Sequence, residues 1–475
     1  MKNTDLIWDN VDGHREEFIG LANRVFDVPE TLYNEYRSVA EHRKTLLTQG
    51  FRITENAAKI PTAIVGEAGS GGPVIAILGE YDALPGLSQQ PGVAEHDEVE
   101  PGGHGHGCGH NLLGSAALLA ATAVKDWIEE QGINARIRYY GCPAEEGGAA
   151  KTYMVREELF DDVDAAISWH PASFTGISHS SSLANCRIDF TFHGKASHAA
   201  ASPELGRSAL DAVELMNVGI NYLREHMPDD ARVHYAYLDA GGEAPNVVQS
   251  KATVRQLVRA RDLPGLRDLL ARVTKIAQGA ALMTETTMES RVFSGVSNLL
   301  GNPSLEELME VELQRLGPVP FDDQDLEFAS DIRKSLTREE IEKTFHQVSK
   351  PVDPDLVLCD FIAPLNRPME KPSGSTDVGD VSWAVPTVQA WVATFAIGTP
   401  FHTWQLTAQG KSSAAHKGML HAAKLMGATA KSLIEDTELL ARAKQSHRAQ
   451  LQKTPYICPI PAETNPPLID PPSDL

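Results

Sequence analysis

Apolar residues recur three and four positions apart through the first fifty residues, with Phe18, Leu21 and Val25 on one face and Leu32, Tyr36 and Val39 on another, so the chain opens as helix. The period changes at Pro73. Residues 73–80 form a continuous apolar run ending in acid, as expected of a strand buried on both faces whose carboxyl end reaches a site. Helical spacing over 112–128, a strand over 136–142, a helix near 149–159 and a strand over 164–169 follow. This alternation predicts an α/β fold on a largely parallel sheet. From Leu183 the order becomes strand 186–193, helix 206–224, strands 233–238 and 247–258, helix 263–282 and strand 285–292. Such a β-α-β-β-α-β succession predicts a ferredoxin-like unit inserted into the larger layer. A helix after Asn302-Pro303, a strand over 387–395 and a long helix from about 412 return the chain to the first layer. Residues 317–372, rich in Pro, Asp and Lys, read as an irregular excursion, and the prolines after Thr454 predict an extended tail, draped or loose.

A length of 475 residues exceeds what one core organises, so two domains are expected, and a hydrophobic content of 42% is ordinary for a globular chain. The net charge of -22 argues against nucleic acid or an anionic membrane as partner. A small-molecule substrate fits better, and an anionic one is allowed because local cations or arginines outweigh a distant, screened surface charge. The five cysteines are odd in number and scattered, which predicts no disulfide framework and a reducing cytoplasm. The opening segment, from Met1 to Asp9, lacks a basic stretch followed by an apolar one, so no secretory signal is expected. The longest small-apolar run, 115–124, falls well short of the ~20 residues that span a bilayer and reads as a buried helix.

Candidate chemistry begins at Gly107-Cys108-Gly109-His110-Asn111, where a thiol and an imidazole flank a glycine just before a helix and can aim at one point. Alone, such a pair is more often a buried cysteine beside a satisfied histidine. Glu145-Glu146 follows a strand end; carboxylates are common at helix starts, yet adjacent ones repel unless a cation lies near. His170 closes an apolar strand, and His402 lies on the return segment of the first layer; either one alone reads as structural. Together, Cys108, His110, Glu146, His170 and His402 supply the roughly five protein ligands that two divalent ions sharing a water need. Glu145, adjacent but not required as a ligand, is left free to take a proton from that water. Asp82 is placed to orient a ligating imidazole, or else is a turn aspartate before Pro85. His104 and His106 read as solvent-facing loop residues.

In order, Glu80-Tyr81-Asp82-Ala83-Leu84-Pro85, the Cys108 segment, Pro143-Ala144-Glu145-Glu146-Gly147 and Gly194-Lys195-Ala196-Ser197-His198-Ala199 resemble the motifs of the aminoacylase-type dinuclear metallo-amidohydrolases and metallopeptidases, over nearly the whole chain. The resemblance implies two divalent ions per subunit, manganese or zinc, held by the five ligands above, with Glu145 as general base and Asp82 as orienting carboxylate. It implies that His198 reaches a partner subunit's site to help hold the oxyanion, and that Asn246 and Arg259 lie near the substrate's carboxylate. Read from the residues alone, these three are a surface histidine, a turn asparagine and a solvated strand end. Glu80 stands where many relatives carry histidine, and Asn111 where they often carry aspartate; the bridging ligand is left open between Cys108 and His110. The expected domains are a catalytic domain in two parts, 1–183 and 296–453, an inserted lid and dimerisation domain, 184–295, and a proline-rich tail, 454–475. The expected reaction is hydrolysis of the amide bond of an acyl-amino acid, p-aminobenzoyl-glutamate foremost, by a homodimer or by a heterodimer with a related subunit. A dipeptidase or N-acyl-amino-acid deacylase is the enzymatic alternative. A non-catalytic partner subunit is the other, and the intact Glu145 and ligand set speak against it.

Overall fold

The computed structural model describes residues 5–178, 182–366 and 374–470. An eight-stranded sheet runs in the order Arg52–Glu55, Ile64–Gly69, Arg136–Cys142, Val74–Glu80, Ala165–Ala172, Thr387–Ala393, Thr175–Ile177, Ile362–Ala363. The four middle strands are mutually parallel, and antiparallel pairing enters only on either side of them. Val74–Glu80 shows why its apolar run is continuous. Ile75 and Ile77 enter the core on one face, Val74, Ala76 and Leu78 that on the other, and all seven residues are buried. Helices His110–Gln131 and Ser413–Glu435 pack together over the first face, while Ala150–Arg156 and Val378–Ala384 cover the second. The first of these is buried almost all round, as its dense alanine and leucine content requires.

The β-α-β-β-α-β succession forms a separate antiparallel sheet, in the spatial order Thr287–Val296, Ala184–His193, Lys251–Ala260, Arg232–Asp239. Helices Ala209–Leu223 and Leu263–Thr284 cover one face, against which Cys186, Ile188, Phe190, Val254 and Val258 are buried. Strict alternation therefore turns Arg187, Asp189, Arg255 and Arg259 to the opposite, uncovered face. The fold is the expected one, a largely parallel α/β layer with a ferredoxin-like insertion.

Several elements differ from the sequence expectation. Arg52–Glu55, Ile64–Gly69 and Thr175–Ile177 are strands too short and mixed in composition for period-2 reading. Residues 317–372 hold two helices, Asp323–Arg333 and Arg338–Gln347, each opened by a capping box, Asp322 with Asp325 and Thr337 with Glu340. Positions 367–372 of that stretch lie outside the described residues, as do the first four residues of the chain and the last five of the tail. The tail is extended and draped. Arg156 donates to the carbonyls of Pro461 and Thr464, the Tyr456 hydroxyl donates to Asp380, and Ile460 is buried. Among the described residues, no helix is long and apolar enough to cross a membrane.

Candidate metal centre

The expected ligands gather at the carboxyl ends of the middle strands. Asp82 lies two residues beyond Val74–Glu80, Glu145 and Glu146 follow Arg136–Cys142, His170 sits near the end of Ala165–Ala172, and His402 comes after Thr387–Ala393. His110 is the first residue of its helix. The preceding Gly109 has φ 79°, and a Cβ there would come within 3.0 Å of Pro171, so both conformation and space demand glycine. The backbone N–H of His402 donates to the Gly107 carbonyl at 2.8 Å, which ties the return segment to the Cys108 loop.

Donor atoms fall into three overlapping groups, in each of which the ligand atoms lie within 4.8 Å of one another: Cys108 with His110 and His170, Cys108 with Glu146 and His402, and His110 with Glu80 and Glu145. All five expected ligands and the expected base are thus brought together. Cys108 belongs to the first two groups and His110 to the first and third. His110 Nδ1 lies 2.8 Å from Asp82 Oδ1, and His170 Nδ1 lies 2.8 Å from the Pro171 carbonyl. These bonds assign the Nδ1–H tautomer to both rings and turn each Nε2 lone pair toward the cluster. Asp82 Oδ2 also accepts from the Glu146 N–H at 3.0 Å, so one carboxylate orients two members. His110 Nε2, Glu80 Oε2 and Glu146 Oε1 are buried without a hydrogen-bond partner, although Glu80 Oε2 is 3.3 Å from His110 Nε2 and Glu146 Oε1 is 3.2 Å from His402 Nε2. Unpartnered buried polar atoms are rare, and a convergent set of one sulfur, three imidazoles and several carboxylates fits a pair of divalent ions.

Electrostatics point the same way. Burial, reinforced by Glu146, pushes the Cys108 thiol well above its ordinary range. Burial together with Glu80, Glu146 and Asp377 does the same to the Glu145 carboxyl. Burial would raise Glu146 as well, but the nearby His402 imidazole and the charge of His110 hold it at about 2. Burial likewise opposes ionisation of Glu80, and the charges of Lys151, His110 and His170 together outweigh it.

Lys151 was not legible as a site neighbour. Fully buried, its Nζ lies 2.6 Å from Glu80 Oε1 and 2.7 Å from Asp377 Oδ1. Glu35 was missed too; its Oε1 accepts from the Tyr33 and Ala144 N–H groups, both at 3.0 Å, and so holds the segment leading into Glu145. His106 corrects an expectation: it is buried rather than solvent-facing, with Nε2 3.1 Å from the Val25 carbonyl and its ring against Phe26. His104 is exposed as expected. Asn111 is buried and donates to the Gly410 carbonyl at 3.0 Å. His198 and Asn246 are exposed neighbours on the insertion, joined through the bond from the Ala199 N–H to the Asn246 carbonyl at 3.0 Å. Among the described residues, neither bonds to the donor groups. Arg259, half-buried, donates to Ser375 Oγ at 3.2 Å.

The family model described as Peptidase family M20/M25/M40 matches residues 76–390, and the chain belongs to this family of dinuclear metal-dependent hydrolases. It is 46% identical over 468 residues to one of the subunits of p-aminobenzoyl-glutamate hydrolase of Escherichia coli (strain K12), a match covering 96% of this chain and 97% of that protein. It is 28% identical to the Xaa-Arg dipeptidase of Mus musculus, over 94% of this chain and 92% of that one. Among solved structures, an aminobenzoyl-glutamate utilization protein from Klebsiella pneumoniae superposes with a TM-score of 0.56 at 16% identity, covering 86% of this chain and 97% of that chain.

Proposed function

We propose that the chain hydrolyses the amide bond of p-aminobenzoyl-glutamate, releasing p-aminobenzoate and glutamate. The observation that carries this reading is the convergence of Cys108, His110, Glu146, His170 and His402, with Glu145 beside them, in a chain of nearly the same length as a relative named for that substrate. The five residues would hold two ions, with Cys108 and His110 each shared between two of the donor groups. The Cys108 thiolate suits zinc, while the nitrogen and oxygen donors suit manganese. Bound divalent ions supply Lewis-acid polarisation and a lowered pKa for water. Glu145 accepts the proton of the attacking water and delivers it to the departing nitrogen, for which a carboxyl held above its ordinary range is suited. Asp82 keeps His110 in the productive tautomer. Asn246 and Arg259 hold the substrate's carboxylate.

On this reading, 1–183 and 296–453 build the catalytic domain, 184–295 the lid, and 454–475 a tail. His198 serves the site of a second subunit, where it helps hold the oxyanion. Pairing through the insertion is supported by its edge strand Arg232–Asp239, where Tyr235, Tyr237 and Leu238 are exposed. The Escherichia coli relative is named as one subunit of its hydrolase, which favours a related second chain as partner. Five unpaired cysteines support a cytoplasmic location.

The test compares p-aminobenzoyl-glutamate, N-acetyl-amino acids and Xaa-Arg dipeptides as substrates of the purified, metal-analysed protein. The first is expected to show the highest kcat/KM, and a dipeptide in first place would replace this substrate with another. Glu145→Gln is expected to lower kcat by about 10²–10⁴-fold with metal content unchanged; undiminished turnover would remove Glu145 as base.

A further inference from the structure

We propose that Arg187 and Arg259 form a two-cation recognition site for a dicarboxylic amino acid, with Arg187 taking the second carboxylate that distinguishes an acidic residue from a neutral one. This rests on the amide-hydrolase reading and narrows its substrate class.

Both side chains leave the uncovered face of the antiparallel sheet. Asn185 pairs with Arg259 across neighbouring strands, and Arg187 is two residues along from Asn185, so the guanidinium groups share one patch. A third arginine there, Arg255, is neutralised by Asp189 through bonds of 2.7 and 2.9 Å. Among the described residues, no carboxylate forms an ion pair with Arg187 or Arg259. Arg187 instead donates to two neutral main-chain oxygens, Gly147 O at 3.1 Å and Glu146 O at 3.3 Å. Among the described residues, the Arg259 side chain bonds only to the Ser375 hydroxyl.

Two half-buried guanidinium groups with no ion pair among the described residues are a costly arrangement, and more conspicuous in a chain of net charge -22. A bound anion relieves that cost, and the planar guanidinium is shaped for a carboxylate. The location gives the anion a purpose. Arg187 grips the carbonyls of Glu146 and Gly147, so whatever it binds is held beside the segment carrying Glu145 and a metal-ligand carboxylate. A Cβ at Gly147 would lie 2.5 Å from Arg187 Nη1, so the glycine permits this approach. Two carbonyl bonds leave further donors of the fork free for a ligand. Any amino-acid product brings one carboxylate, which Arg259 satisfies; a second cation is explained by a second carboxylate.

The decisive measurement is the ratio of kcat/KM for p-aminobenzoyl-glutamate over p-aminobenzoyl-glutamine, which differ only in the side-chain carboxylate. The native enzyme is expected to prefer the glutamate compound by about 10–100-fold, and Arg187→Met to bring the ratio within about threefold of one, chiefly through KM. The glutamine compound should lose far less of its kcat/KM in the variant than the glutamate compound does. An equal loss on both substrates would show that Arg187 only braces the Glu146–Gly147 segment, and an unchanged ratio would remove it from recognition; either overturns the proposal. Arg187→Lys, which keeps the charge without the fork, is expected to retain an intermediate ratio and serves if the methionine variant does not fold. Binding of glutarate against butyrate to the metal-loaded protein, followed by calorimetry, separates this proposal from the one it rests on. If neither amide is hydrolysed, the functional reading fails, and a native preference for glutarate lost in the variant still supports the two-cation site.

Discussion

Cys108 and Glu145 share an unusual condition: in the metal-free fold each is held well above its ordinary pKa, by burial first and neighbouring carboxylates second. The Cys108 thiol is therefore protonated at neutral pH, and loading the ions has to displace its proton. Zinc affinity is expected to strengthen by about tenfold per pH unit for each proton released. Calorimetry at pH 7 in two buffers of different ionisation enthalpy counts those protons, and a count of zero would mean the thiol is already ionised. Glu35 makes a separate prediction. Burial and the nearby Asp82 raise it to about 8, whereas an unfolded glutamate titrates near about 4.3. Between those values the folded state binds the extra proton, so stability falls as pH rises through the window. Glu35→Gln keeps an acceptor for the Ala144 N–H and has no charge to bury. Melting of the metal-free proteins should show the variant gaining on the native chain from pH 5 to pH 8, and a gap independent of pH would refute the assignment.

At the scale of elements, what could be read beforehand was whatever one segment states by itself. Val74–Glu80 announces a buried central strand because every position is filled for burial, and Cys108 and His110 announce a shared target because a glycine loop runs straight into a helix. Pairings between distant segments stayed hidden. The Lys151–Asp377 bond spans 226 residues, and the burial of His106 depends on Val25 and Phe26 folding over a loop that by composition looks exposed. The helices Asp323–Arg333 and Arg338–Gln347 were hidden differently: their capping boxes stand in the sequence, but weak apolar periodicity draws attention away. Asp82 shows how one turn coordinates two elements, since it holds the first residue of a helix and the backbone of the Glu146 segment. Asp82→Asn is expected to weaken metal binding by about 10–100-fold, read by competition with a chromophoric chelator. An unchanged affinity would reduce Asp82 to a turn residue.

For the whole molecule, the proposed pairing runs through the insertion. Its sheet ends in the strand Arg232–Asp239, with tyrosines and a leucine exposed and, among the described residues, no strand on that side. An apolar edge of this kind invites pairing. Tyr237→Lys is expected to convert the assembly to monomers by light scattering and to abolish turnover, because His198 would then lack a site to complete. A fully active monomer would release His198 from that role. A single sulfur, that of Cys108, belongs to two donor groups at once. Peroxide that carries it to the sulfinic acid damages both positions in one event, so oxidative injury would extinguish activity outright instead of leaving half-loaded, partly working molecules.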